Sequence, residues 1–76
     1  MDKILNILKE VRDDVDFVNE KKLIDDEVID SFDVVAIVGE LCEQYKVTIT
    51  VDDLTADNFN SAEAMLALVN RLQKKL

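Results

Sequence analysis

The side chains able to do chemistry in this chain are few. Its 76 residues include no His, one Cys and one Tyr. That excludes an imidazole base, a Ser-His-Asp or Cys-His pair, and any His metal ligand. A single Cys closes no internal disulfide and builds no Cys-rich zinc or iron–sulfur site. The candidates left are Ser31, Cys42, Tyr45 and the 17 carboxylates.

Ser31 follows Asp30 at the end of a long connection and opens a helical pattern. Two roles fit it. Its hydroxyl can cap the helix by accepting from an orphan N–H, or it can stand exposed for modification by a partner enzyme. The two are compatible, since a helix N-terminus holds phosphate well. Cys42 lies four residues after Val38 on an apolar stripe and reads as a small buried hydrophobe. Tyr45 ends that stripe and reads as a core cap with its hydroxyl at the surface. Asp13, Asp14 and Asp16 invite a calcium reading. A twelve-residue loop from Asp14, however, puts Asn19 where an EF-hand needs Gly and Asp25 where it needs Glu. Asp33, Glu40 and Glu43 read first as a solvated face and second as a docking face.

Three helical patterns position these residues. The first runs from about Asp2, a suitable cap, to Val15, with Ile4, Leu8, Val11 and Val15 on one face, widened by Leu5 and Ile7. Residues 16–30 carry no sustained helical stripe; Phe17, Val18, Leu23, Ile24, Val28 and Ile29 are its expected anchors. The second helix opens at Asp30 or Ser31 and runs to about Tyr45. Its inner stripe reads as Phe32, Val35, Val38, Leu41, Cys42 and Tyr45, with Val34 and Ile37 widening the apolar arc. Gly39 costs such a helix about 1 kcal/mol relative to Ala, and close helix packing is the expected reason for it. Val47, Ile49 and Val51 read as an extended linker plugged into the core, followed by a short helical turn near Asp52–Thr55. The last helix starts at Asn60 or Ser61 and runs to about Gln73. Met65, Leu68, Val69 and Leu72 face inward, and Lys74 and Lys75 suit the C-terminal dipole. With Asn60 as cap, Glu63 completes a capping box. The periodicity predicts an all-α bundle of three main helices plus a short one.

Length and charge narrow the function classes. The chain has the size of one small domain, expected over residues 1–76, with a thin core. Nine basic against 17 acidic residues give a net charge of −8. Such a surface repels nucleic acid and anionic membranes and attracts basic protein partners. No Pro and a single Gly exclude Gly-rich phosphate loops. No apolar run approaches the ~18 residues of a membrane span. The N-terminus lacks signal-peptide features. A lone thiol fits a reducing cytosol, so the expectation is a cytoplasmic protein.

The stretch Leu23-Ile24-Asp25-Asp26-Glu27-Val28-Ile29-Asp30-Ser31-Phe32 resembles the attachment-site motif of the acyl carrier protein family. That motif has a Leu-x-Asp lead, then Asp-Ser-Leu or a close variant. Asp52-Asp53-Leu54 and Asn58-Phe59-Asn60-Ser61 resemble that family's third helix and the approach to its fourth, so the likeness covers essentially the whole chain. The resemblance implies a four-helix acyl-carrier-like bundle with no catalysis of its own. It implies that Ser31 receives 4′-phosphopantetheine from coenzyme A through a phosphopantetheinyl transferase. The arm's thiol then carries cargo as a thioester, in lipid or secondary-metabolite synthesis. It implies that Asp30 and Asp33 flank the arm and guide the transferase, and that Phe32 and Val35 anchor the helix. Phe32, Val34, Ala36 and Ile37, with Glu40 on the acidic face, are then expected at contacts with partners or cargo. Those partners are an acyl- or aminoacyl-loading ligase and a downstream acyltransferase or synthase, served by a monomer.

Three departures bear on the subclass. Ile29 stands where many members have Gly, Ile49-Thr50 where Ile-Pro is frequent, and Ala36 where many fatty-acid carriers have Glu. Ala36 weakens a fatty-acid assignment, and the Ile29-Asp30-Ser31-Phe32 form with the bulky residues before it looks more like D-alanyl or peptidyl carriers, so acyl and aminoacyl cargo both stay open. The alternative outside the family is an acidic helical adaptor with no prosthetic group, in which Ser31 only caps a helix.

Overall fold

The computed structural model describes residues 2–74. The chain forms α1 (Asp2–Val11), α2 (Ser31–Tyr45), a 3₁₀ turn (Val51–Asp53), α3 (Ala56–Phe59) and α4 (Ala62–Lys74). Helices α1, α2 and α4 pack on one another and α3 packs on α4, with no strand among the described residues. This is the all-α bundle of three main helices and a short one. The expectation for Lys75 lies outside the described residues.

Helix α1 ends at Val11, four residues before the expected end. Two physical reasons favour the early stop. Asp13 and Asp14 would sit at the negative end of the helix dipole. Leaving the helix also lets both Val15 and Phe17 turn into the core from irregular backbone. Helical geometry places residues two apart on different faces, so one continuous helix cannot bury both.

The connection from residue 12 to 30 is held by its own apolar residues. Phe17, Leu23 and Ile29 are buried, Ile24 and Val28 pack against the core, and only Val18 of the expected anchors is exposed. Asp16 organises its first turn by accepting from the backbone N–H groups of Val18 and Asn19 and from the Asn19 side chain. Those bonds hold its carboxyl below the usual carboxylate range, the Asn19 side chain contributing most. The far end is tied across the fold by Asn60. Its Oδ1 accepts from Ile24 N and Asp25 N at 3.0 and 3.1 Å. Its Nδ2 donates to Asp25, and its carbonyl accepts from Leu23 N at 2.9 Å. Asn60 is therefore not the cap of α4. That role belongs to Ser61, whose Oγ accepts from Ala64 N at 3.1 Å. Glu63, expected in a capping box, instead pairs with Lys21.

Helix α2 is rotated from the expected orientation. Ile37 and Leu41 are fully buried, with Val34, Val38 and Tyr45 packed beside them. Phe32 and Val35, expected to anchor the helix, are 84% and 69% exposed. The helix is apolar over so wide an arc that two stripes one residue apart both satisfy the 3.6 period. Packing against α1 and α4 selects the stripe that starts at Val34. Residues 32, 35, 36 and 39 then face solvent. Gly39 is among them, and a Cβ placed on it meets no neighbouring atom within 4 Å. Close packing inside the chain is not its purpose.

The C-terminal end of α2 has no basic residue in its last turn, and Lys3 of α1 supplies one. Its Nζ donates to Gln44 O at 3.0 Å and lies 4.6 Å from the Tyr45 ring centroid. Partial burial raises the Tyr45 pKa. Beyond this point Val51 is 82% exposed, against its expected place in the core, whereas Ile49 packs inward. Val51 instead opens the 3₁₀ turn.

Two substitutions test these roles. Asn60→Ala removes the acceptor of two loop N–H groups and is expected to lower stability by about 1–3 kcal/mol, read from the urea midpoint. Gly39→Ala meets open space and is expected to raise stability by about 0.5–1 kcal/mol, read as an increase in Tm.

Candidate functional site

Asp30 stands just outside α2 in extended conformation and Ser31 is the first helical residue. The cap is reciprocal. Asp30 Oδ1 accepts from Asp33 N at 2.9 Å, and Asp33 Oδ2 accepts from Asp30 N at 3.2 Å. This capping box serves two of the groups that a helix start leaves open. Of the two roles open to Ser31, capping therefore belongs to its neighbour. The Ser31 side chain is exposed, and no described residue bonds its hydroxyl. The N–H groups of Ser31 and Phe32, which point out of the first turn, also have no acceptor among the described residues.

One cation reaches this cluster. Arg12, just past the end of α1, donates from Nη1 to Asp33 Oδ2 at 2.6 Å. Its Nε and Nη2 form a fork with Asp14 at 2.9 and 3.0 Å. The hydrogen bond from Arg12 holds the Asp14 carboxyl below its usual range, and the two carboxylates hold the guanidinium firmly protonated. The Asp33 side chain is only 14% exposed. It is thus engaged by Arg12 and the Asp30 backbone rather than free for a partner. No sequence motif singles out Arg12. The available signal is its position as the only cation between Lys9 and Lys21, in an acidic stretch.

Two depressions flank the start of α2. A cleft of about 350 Å³ lies between the long loop, α2 and α3, lined by Ile24, Ile29, Ser31, Val34, Leu54 and Phe59. Ile29, the residue standing in place of Gly, forms part of its wall. A second groove, sharing Val35 with the first, is lined by Phe32, Val35, Ala36, Gly39, Glu40 and Glu43. Of the expected contact residues, Asp30 and Phe32 are exposed, and Val34 and Glu40 are half-buried beside a depression. Ile37 is corrected: it is 0% exposed and belongs to the core, because the packed stripe of α2 runs through it. Cys42 is half-buried and free. Among the described residues no three His, Cys, Asp or Glu side chains converge as a metal site. Asp14 faces Arg12, and Asp16 serves the loop.

A family model described as the phosphopantetheine attachment site matches residues 2–69. No curated protein and no solved structure matches the chain. The family match covers most of the sequence, and the chain belongs to this family of phosphopantetheine carriers, whose members hold 4′-phosphopantetheine covalently. The start of α2 fits such a group: an exposed hydroxyl with no other duty, and two free N–H groups at the positive end of a 15-residue helix.

The division of labour between Asp30 and Ser31 is measurable. Asp30→Ala is expected to cost about 1 kcal/mol. Ser31→Ala is expected to stay within about 0.5 kcal/mol of wild type. Urea unfolding of the two variants side by side reads the difference, and the opposite ranking would return the cap to Ser31.

Proposed function

We propose that this protein is a stand-alone acyl carrier, with Ser31 as its attachment residue. The observation that carries the reading is the Ser31 hydroxyl, exposed and unpaired at a helix start that Asp30 already caps. In the transfer, Ser31 Oγ forms a bond to the pantetheine-bearing phosphorus of coenzyme A. The phosphoanhydride breaks, adenosine 3′,5′-bisphosphate leaves, and the Ser31 proton passes to a base of the phosphopantetheinyl transferase. The arm's thiol then bears an acyl group as a thioester. The chain does no chemistry itself; a loading ligase and a downstream acyltransferase or synthase act on the cargo. The apolar cleft beside Ser31 supports an acyl cargo.

An aminoacyl carrier of the D-alanyl or peptidyl kind is the second reading. It is favoured by Ile29, which occupies space in that cleft, and by the exposed Ala36, where many fatty-acid carriers have Glu. On either reading Asp30, Phe32, Val34 and Glu40 form the partner-facing set, with Asp33 oriented by Arg12. Net charge −8 favours basic partner surfaces over nucleic acid. No described helix is long and apolar enough to cross a membrane. A single domain over residues 1–76, acting as a cytoplasmic monomer, completes the proposal.

Intact-mass measurement before and after incubation with coenzyme A and a broad-specificity phosphopantetheinyl transferase tests it. Wild type is expected to gain one phosphopantetheine increment and Ser31→Ala none. An unmodified wild type, with the enzyme active on a control carrier, would leave an acidic adaptor as the better reading. Aminoacyl rather than acyl transfer to the modified form by purified ligases would select the second carrier type.

A further inference from the structure

We infer that Arg12 is the counter-ion that lets an anionic phosphodiester sit at Ser31. The inference rests on the carrier reading above and assigns a role to a residue outside the attachment motif. A helix start welcomes negative charge, and Asp30 and Asp33 already occupy this one as N-cap and N3. Modification places a further anion on Ser31, one residue from Asp30 and two from Asp33. Three negative groups then share one helical turn.

The chain answers with a single cation. Among the described residues, Arg12 is the only Lys or Arg in ion-pair contact with either aspartate. Its geometry suits a fixed counter-ion rather than a passing contact. The two-bond fork to Asp14 holds the plane of the guanidinium, and the remaining Nη1 is directed onto Asp33 Oδ2. Asp33 is largely shielded from water, so solvent and salt screen its charge less than that of an exposed carboxylate. The same oxygen accepts from Asp30 N. Arg12, whose one charge is shared with Asp14, therefore offsets part of the Asp33 charge and holds Asp33 in the capping box, leaving the open Ser31 and Phe32 N–H groups to the incoming phosphate oxygens. It is a positioning residue, acting through Asp33.

A purely structural salt bridge would support the unmodified and modified proteins alike; a counter-ion to the phosphodiester supports the modified one more. The test compares Tm of unmodified and fully modified protein, with completeness checked by intact mass, for wild type, Arg12→Gln and Arg12→Lys. Arg12→Gln is expected to lower Tm of the modified form by about 2–5 °C more than that of the unmodified form. The excess is expected to shrink at about 1 M salt, where the Debye length falls to roughly 3 Å. Arg12→Lys keeps the charge and loses the fork, so it is expected to recover part of the excess. Equal losses in both forms, unaffected by salt, would overturn the counter-ion role and leave the carrier reading standing. Wild type that gains no increment would overturn both. Should Arg12→Gln not fold, the comparison is read on Arg12→Lys, where equal drops in the two forms would likewise overturn the counter-ion role.

Discussion

The first turn of α2 has more N–H groups than its helix can use, and the arrangement of the site follows from which residue answers them. Asp30 does, with Asp33 returning the bond. A carboxylate is a strong acceptor at the positive end of a helix, so the neighbouring hydroxyl is released. Had Ser31 been the cap, modifying its oxygen would have cost the helix its first stabilising contact. On the carrier reading, separating the cap from the attachment residue allows the second to be altered without unwinding the first.

The rest of the fold positions that turn. The loop arrives from the end of α1 through Phe17, Leu23 and Ile29, all buried, and Asn60 locks its middle to the corner between α3 and α4. Arg12 ties the end of α1 to the same turn through Asp33. Irregular backbone of this length is usually mobile unless it is anchored; here its apolar residues other than Val18 are packed inward, and Asp16 and Asn60 accept from its backbone N–H groups. The result is a cleft whose wall is built by loop, α2 and α3 together.

Much of this is legible in the residues. The three main helices, their order and the inner faces of α1 and α4 follow from apolar spacing, and the loop anchors apart from Val18 from apolar type. The turn expected near Asp52–Thr55 is the 3₁₀ turn at Val51–Asp53, and α3 at Ala56–Phe59, one turn long, carries no apolar stripe to mark it. What is not legible has particular physical causes. The orientation of α2 escapes the spacing because Val34 and Val35 are both Val and periodicity weighs them equally; only the shapes of α1 and α4 decide between them. Val51 reads as part of an extended linker plugged into the core, yet the 3₁₀ turn that begins at it after the extended Thr50 leaves it outside. The dual use of Asn60 is invisible locally, since Asn caps helices and latches loops with the same atoms. The pairing of Arg12 with Asp33 spans 21 residues, and no local pattern encodes it. The hydroxyl at Ser31 is identifiable; which side chain would free it is not, because Asp30 and Ser31 are both good caps.

The exposed face of α2 follows from the same constraint of size. A chain this short fills its core with one stripe of each helix, so a second apolar stripe on α2 contributes nothing to folding. Phe32 and Val35 nevertheless face water beside Gly39, in a position where Ala would serve the isolated domain better. Single exposed hydrophobic residues need no explanation. A phenylalanine, a valine and a gratuitous glycine on one face, within three turns of Ser31 and rimmed by Glu40 and Glu43, form a combination that stability does not select. On the carrier reading the face has a use: the enzymes that modify, load and unload Ser31 must approach this turn. On that reading the stripe of α2 that begins at Val34 serves the fold, and the stripe that begins at Phe32 is left to those enzymes.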